Sequence, residues 1–271
     1  MIHMKSTFKN KNHRSVSYPG TPALPAAAIL LFIAVSIFSL SSFLFGKVQV
    51  SADPERPVRI LCYGDSNTYG FDPDPNEDRY PENVRWTGVL QEKLGENYQI
   101  IEEGRNGRTA GYRLDATPMY PEEGPEDLTA RLENHQPVDI LVIMLGTNDC
   151  LPALGLSAED ITDGIDVLIR AAEDWADQNG TARPSFVIIA PPVMDDDILD
   201  TPYATPKTEE YIRKARALPA LYSQLAEAHG GIFVDACDSI ELSPLDQVHL
   251  TEKGHAQLAE LLAHALHDTR R

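Results

Sequence analysis

The sequence predicts an α/β protein: a three-layer α/β/α sandwich on a five-stranded parallel sheet, preceded by one N-terminal hydrophobic helix. Two observations predict the layers. Short apolar runs recur at residues 58–63, 98–101, 138–145, 186–190 and 231–234, each of strand length and bounded by turn formers. The segments between them carry helical spacing, and strands alternating with helices pair in parallel because each connection crosses back over the sheet. A third observation predicts the leader: residues 26–45 form an almost unbroken apolar run with no charge between Arg14 and Lys47.

Taken in order, the 271 residues divide into a basic N-terminus at 1–22, a hydrophobic segment at 23–46, a linker at 47–56 and one domain at 57–271. The hydrophobic segment is near the ~20 residues that span a bilayer as a helix. Basic residues before it and acidic ones after it orient the N-terminus to the cytoplasm and the domain outside. Its length favours a retained signal-anchor over a cleaved signal peptide, although Val50-Ser51-Ala52 is an acceptable cleavage site that would release a secreted form. Five of the 23 Lys and Arg precede Asp53, leaving 18 against 41 Asp and Glu, a net of -23 for the remainder. That balance argues against nucleic acid as a partner, since phosphate binding is driven by cationic side chains.

Within the domain, Pro57 opens the first strand and Gly64 stops it. Trp86, Leu90 and Leu94 recur at i, i+4 on the first long helix. Ser157 with Asp160 forms a capping box before a helix whose apolar face is Ile161, Ile165, Leu168, Ile169, Ala172 and Trp175. A helical stretch at 208–228 contains Pro219 and is kinked or split there. Thr251 caps the last helix, with Leu258, Leu261, Leu262 and Leu266 inward. The three cysteines, Cys62, Cys150 and Cys237, read as small buried residues, and no Cys/His spacing resembles a metal site. No metal or cofactor is expected. Asp72, Asp74, Asn76 and Asp78 alternate like a calcium loop, but Glu77 stands where glycine is needed, Asn83 where a bidentate glutamate is needed, and Pro73 and Pro75 stiffen the path.

The chemistry is concentrated in four short stretches: Gly64-Asp65-Ser66, Gly104-Arg105-Asn106-Gly107-Arg108-Thr109, Gly146-Thr147-Asn148-Asp149 and Asp246-Gln247-Val248-His249. A serine after a strand is by itself more often a helix cap than a nucleophile. In this company it gains a role. Acyl transfer needs donors aimed at the developing oxyanion, and the backbone N–H groups of Ser66 and Gly107 with the Asn148 amide supply them. His249 is the candidate base and Asp246, three residues earlier, its orienter. Asp235 and Asp238 are weaker alternatives for that carboxylate. Asp65 reads as an acceptor steadying the turn. His255 is expected on a helix surface, and His135, His229, His264 and His267 carry no partner signal. Tyr69 and Trp86 either line an acyl pocket or pack the core, two roles left open by the sequence. The Gly-x-Ser-x-Gly elbow of the α/β-hydrolases is absent, which argues against that fold.

Gly64-Asp65-Ser66, Gly107, Gly146-x-Asn148-Asp149 and Asp246-x-x-His249 resemble the four blocks of the SGNH, or GDSL-type, serine hydrolases. The stretches 59–66, 84–90, 101–104 and 143–149 are similar to the mycobacterial arylesterase/acyltransferase branch. The resemblance implies a flavodoxin-like sheet and a serine esterase acting on short, acetyl-sized carboxylic esters. It implies Ser66 as nucleophile, Gly107 and Asn148 completing the oxyanion hole, and Asp246 and His249 completing the triad. An alcohol or a glycan is an alternative acyl acceptor or substrate, making the protein an acyltransferase or polysaccharide O-deacetylase. A membrane-tethered binding protein that lost the chemistry is a third reading, opposed by the intact triad residues. The acidic segment at 195–210 departs from the blocks and leaves substrate and oligomeric state unspecified.

Overall fold

A computed structural model describes residues 56–111, 124–200 and 205–268. The expectations for residues 1–55 lie outside the described residues, and no helix among the described ones is long and apolar enough to cross a membrane.

Five strands, β1 (Val58–Gly64), β2 (Tyr98–Gly104), β3 (Ile140–Met144), β4 (Ser185–Ala190) and β5 (Ile232–Asp235), form one parallel sheet in the order β2-β1-β3-β4-β5. The chain moves from β1 outward to β2, then returns to the other side of β1 to lay down β3. That reversal opens a crevice at the carboxyl ends of β1 and β3, the usual ligand position in such sheets. Gly64 ends β1 and the 146–149 turn lies just past β3, so both arrive at this crevice.

Side-chain alternation along the strands divides the core in two. Leu61, Tyr63, Leu141, Ile143, Phe186 and Ile188 point to one face. There they meet α3 (Pro125–His135), α4 (Ala158–Asn179), α5 (Pro206–Ala215) and α6 (Leu218–Ala228). Ile60, Cys62, Val142, Met144, Val187 and Ile189 point to the other, against α2 (Trp86–Leu94) and α7 (Glu252–Asp268). A four-residue helix, α1 (Ser66–Tyr69), follows β1 directly. The three layers are those expected.

Local signals account for most element ends. The Ser157 capping box is present, with both the side-chain bond to the Asp160 N–H and the reciprocal Asp160 bond formed. The helix behind it buries Ile161, Ile165, Leu168, Ile169 and Ala172, with Trp175 partly buried. The 208–228 stretch is split: α5 begins at Pro206 behind the Thr205 cap, and α6 restarts at Leu218 with Pro219 in its first turn, where a missing N–H costs nothing. Thr251 Oγ1 accepts the Gly254 N–H at 3.0 Å, capping α7.

Three expectations need correction or extension. His255 is not on the helix surface: it is fully buried, and its Nδ1 accepts the Trp86 N–H at 3.3 Å, satisfying an N-terminal donor of α2 from across the helix pair. Burial and the nearby Arg85 push its pKa down to about 3. His135 and His229 do have partners, Glu103 and Asp166, each at 2.6 Å. Finally, β2 continues past Ile101 to Gly104, paired with β1 as far as Gly64, and its carboxylates are matched: Glu102 by Arg79, Arg85 and Thr87, Glu103 by Arg131 and His135. The cysteines are buried and unbridged, and burial raises all three thiols, Cys150 to about 12.

Candidate active site

The site begins where β1 stops. Gly64 is required by close approach: a Cβ there would sit 2.1 Å from Thr68 Oγ1 and 2.9 Å from the Met144 carbonyl. Gly104 at the end of β2 is equally constrained, a Cβ meeting the Tyr69 N–H nitrogen at 2.0 Å. The two glycines let α1 lie directly on the strand ends. Asp65 caps it, accepting the Asn67 N–H at 2.9 Å. The Asp65 carboxyl is fully buried, and that burial raises its pKa to about 6 despite the bond from Asn67. It therefore steadies the turn as expected.

Ser66 is thereby presented at the start of α1, nearly buried. Its Oγ lies 2.9 Å from His249 Nε2, and His249 Nδ1 lies 2.6 Å from Asp246 Oδ2. The other Asp246 oxygen accepts the backbone N–H groups of Val248 and His249 at 3.0 and 3.1 Å. Burial pushes the Asp246 pKa up, but the His249 bond and the two backbone donors outweigh it and hold the carboxyl below its ordinary range. The Phe71 ring packs against the imidazole, centroids 4.5 Å apart. Of the alternative carboxylates, Asp235 caps the Cys237 N–H and Asp238 pairs with Arg216, so neither is bonded to the histidine.

The donor side is built on two further loops. Gly107, with φ 76°, adopts a conformation that suits glycine, as does Gly146 with φ 125°. Asn148 Nδ2 donates to the Arg108 carbonyl at 3.0 Å, and Asp149 accepts the Ala110 N–H at 2.9 Å. Thus the turn after β3 holds the loop after β2 at two points. An amide carries two N–H donors, so Asn148 retains one beyond its bond to Arg108.

Two groups beneath this loop, Arg108 and Asp127, have no signature in the sequence. Arg108 is 1% exposed. Its guanidinium donates to the Gly64 carbonyl at 2.7 Å and to the Glu103 carbonyl, pairs with Asp127 at 3.1 Å, and stacks over Tyr63 at 4.0 Å. Asp127 also accepts from the Tyr63 hydroxyl at 2.9 Å and from Arg131 at 3.0 Å, and these cations hold its carboxyl below the ordinary range against the effect of burial. Asn67 carries no signal of its role in the sequence either; its amide bonds to the histidine loop. Arg108 lies within the 104–109 stretch, but no local spacing points to its partner Asp127.

Tyr69 and Trp86 fall differently. Trp86, the first residue of α2, has no exposed surface and packs in the core between the sheet and α7, so burial supports its core role. Tyr69 is partly buried, with the Arg79 guanidinium 4.1 Å over its ring.

A serine, a histidine and an aspartate in series at the carboxyl ends of parallel strands, beside glycine turns and an asparagine amide, define a hydrolase class suited to acyl transfer. The family model described as GDSL-like Lipase/Acylhydrolase matches residues 62–257; the chain belongs to that family and is a carboxylic ester hydrolase. The aryl esterase of M. smegmatis is a similar solved structure, 32% identical with a TM-score of 0.70, the match covering 78% of this chain and 99% of that one. Est24, a carbohydrate acetylesterase from Sinorhizobium meliloti, is 30% identical with a TM-score of 0.69 over 78% of this chain and 99% of that one. Among curated proteins, an acetylxylan esterase of Xylanibacter ruminicola is 26% identical over 231 residues, 80% of this chain and 45% of the relative. This chain thus spans less than half the length of that curated relative.

Proposed function

We propose that the protein cleaves short-chain, acetyl-sized carboxylic esters through an acyl-enzyme on Ser66. The observation that carries this reading is the unbroken series Ser66 Oγ, His249, Asp246, with separations of 2.9 and 2.6 Å. In the first half-reaction Oγ attacks the ester carbonyl while His249 Nε2 takes its proton. The carbonyl oxygen becomes negative within reach of the Ser66 and Gly107 N–H groups and the Asn148 amide. Collapse breaks the bond to the alcohol, which leaves with the proton from His249. Water then attacks the acyl-Ser66, giving its proton to His249, and the carboxylic acid departs as Oγ is reprotonated. Asp246 fixes the tautomer that presents Nε2 to the serine and steadies the imidazolium.

An acetyl preference is supported by the relatives whose names state acetylester substrates. Those same names favour one second reading, an O-deacetylase of acetylated glycans using the same residues. Hydrolysis of p-nitrophenyl esters of increasing acyl length, beside acetate release from acetylated xylan, tests both. The expected profile is highest at acetyl and falls steeply beyond butyryl. Acetate release from xylan that outpaces the aryl ester selects the deacetylase, and faster turnover of long-chain micellar esters refutes the short-acyl assignment. Methanol or another simple alcohol added to the aryl-ester assay reports transfer as an ester product in place of the acid.

A further inference from the structure

The fourth residue of the nucleophile motif is Asn67, where the family's descriptive letters carry leucine. Its carboxamide is 2% exposed and uses both its functions on one target. Nδ2 donates to the Val248 carbonyl at 3.1 Å, and Oδ1 accepts the Leu250 N–H at 3.1 Å. These are the peptide groups on either side of His249, 181 and 183 residues away in the chain. We infer that Asn67 is a positioning residue for His249, tying the histidine loop to the turn that carries the nucleophile. The inference rests on the reading of Ser66 and His249 as nucleophile and base.

Buried backbone groups must find partners, and in this segment the asparagine supplies two of them. The His249 N–H goes to Asp246, and the His249 carbonyl accepts the Ser243 N–H at 2.7 Å. The other two groups, the Val248 carbonyl and the Leu250 N–H, have Asn67. One side chain therefore serves half of the polar main-chain groups from the Val248 carbonyl to the Leu250 N–H. The loop also contains Gln247 at φ 56°, a left-handed conformation that a residue with a side chain adopts only when its surroundings impose it. Gln247 itself is held by its N–H bond to the Ser243 carbonyl at 2.8 Å and by Asp246 on the following N–H; Asn67 anchors the next carbonyl from a fixed point, since its own N–H is held by Asp65 and it is covalently next to Ser66. The amide bonds and the Ser66–His249 bond close a short ring, so any slip of the loop passes directly into the distance between Oγ and Nε2. A leucine at 67 would strand the Val248 carbonyl and the Leu250 N–H beside a buried side chain.

The test compares Asn67→Leu and Asn67→Asp with the parent protein, counting competent sites by stoichiometric phosphonate labelling so that an unfolded fraction does not enter the rate. With p-nitrophenyl acetate, Asn67→Leu should lower kcat per labelled site about 10- to 100-fold, the usual consequence of a misplaced catalytic group. KM should stay within about twofold, because the change acts on the reacting groups and not on binding. Asn67→Asp keeps the acceptor for Leu250 but sets a carboxylate oxygen against the Val248 carbonyl. Among the described residues, the titratable groups coupled to the imidazole in the parent are Asp246 and Asp65, with neutral His255 behind. A further negative charge favours the protonated imidazole, so the acidic limb of kcat/KM should move to higher pH. Parent values of kcat per site in both variants, with an unmoved acidic limb, overturn the inference. If Asn67→Leu does not fold, Asn67→Asp decides alone by the same two readouts. Ser66→Ala separates the nucleophile assignment from the role of Asn67: labelling that persists there refutes the nucleophile assignment itself. Labelling lost there, with unimpaired Asn67 variants, refutes only the role of Asn67.

Discussion

Replacing Arg108 by methionine tests whether the buried ion cluster beneath the loop after β2 holds that loop in place. Removing one partner of a buried pair costs about 3–5 kcal/mol, because the other charge is left without compensation. The structure sets where each variant falls in that range. Without Arg108, the Asp127 carboxylate keeps Arg131 at 3.0 Å and the Tyr63 hydroxyl at 2.9 Å. The Gly64 carbonyl keeps the Arg105 N–H at 3.1 Å. Arg108→Met should therefore cost about 3 kcal/mol, part of it the lost stacking over Tyr63. Asp127→Leu leaves an arginine that is 1% exposed with carbonyl acceptors and no bonded anion, and should cost about 5 kcal/mol. Thermal and urea unfolding of both singles and the double variant complete a cycle. For a domain of this size each kcal/mol moves Tm by about 2–4 °C, so Arg108→Met should lose about 6–12 °C. The double variant should be distinctly more stable than the sum of the singles predicts, since neither charge is then stranded. Additivity within about 0.5 kcal/mol would refute the coupling, and an undiminished kcat in Arg108→Met would show that the loop does not need this support.

Asn148→Ala should lower kcat by about 10²–10³ with KM changed far less, the signature of a lost oxyanion donor; an effect confined to KM would make it a substrate-binding residue. The pH dependence of stability should reveal two opposing slopes. Asp65, raised to about 6, binds its proton more tightly when folded, so its contribution declines as pH rises from about 4 to about 6. His255, lowered to about 3, holds no proton when folded while the unfolded chain takes one below about 6.5, so its contribution is lost as pH falls through that window. Asp65→Asn, which preserves a good helix cap, should unmask a stability that rises with pH, and His255→Phe one that falls. Unfolding curves at pH 4, 5 and 6 check both, and identical pH slopes in the two variants would refute the pairing.

The sequence by itself determined what depends on neighbours along the chain. Apolar runs of strand length and helical spacing between them define the layers, because buried faces must repeat with the period of their element. The Ser157 cap, the break at Pro219 and the Asp246–His249 pair are likewise local, each set by residues a few positions apart. His255 marks the limit of local pattern: it lies three and seven positions before Leu258 and Leu262, on the inward face, yet its polarity alone predicts the surface. The buried site it occupies exists only because α2 packs against α7 and brings a helix N–H to the ring. The same holds for the supports of the site. Asn67 meets Val248 and Leu250 from 181 and 183 residues away, and Arg108 meets Asp127 across a segment with no spacing rule. Which acceptor a buried amide or guanidinium finds is decided by what the folded sheet places beside it. The residue types able to act on an ester were therefore legible in the chain, while the side chains that hold them at reacting distance emerged only when five strands ended at one edge.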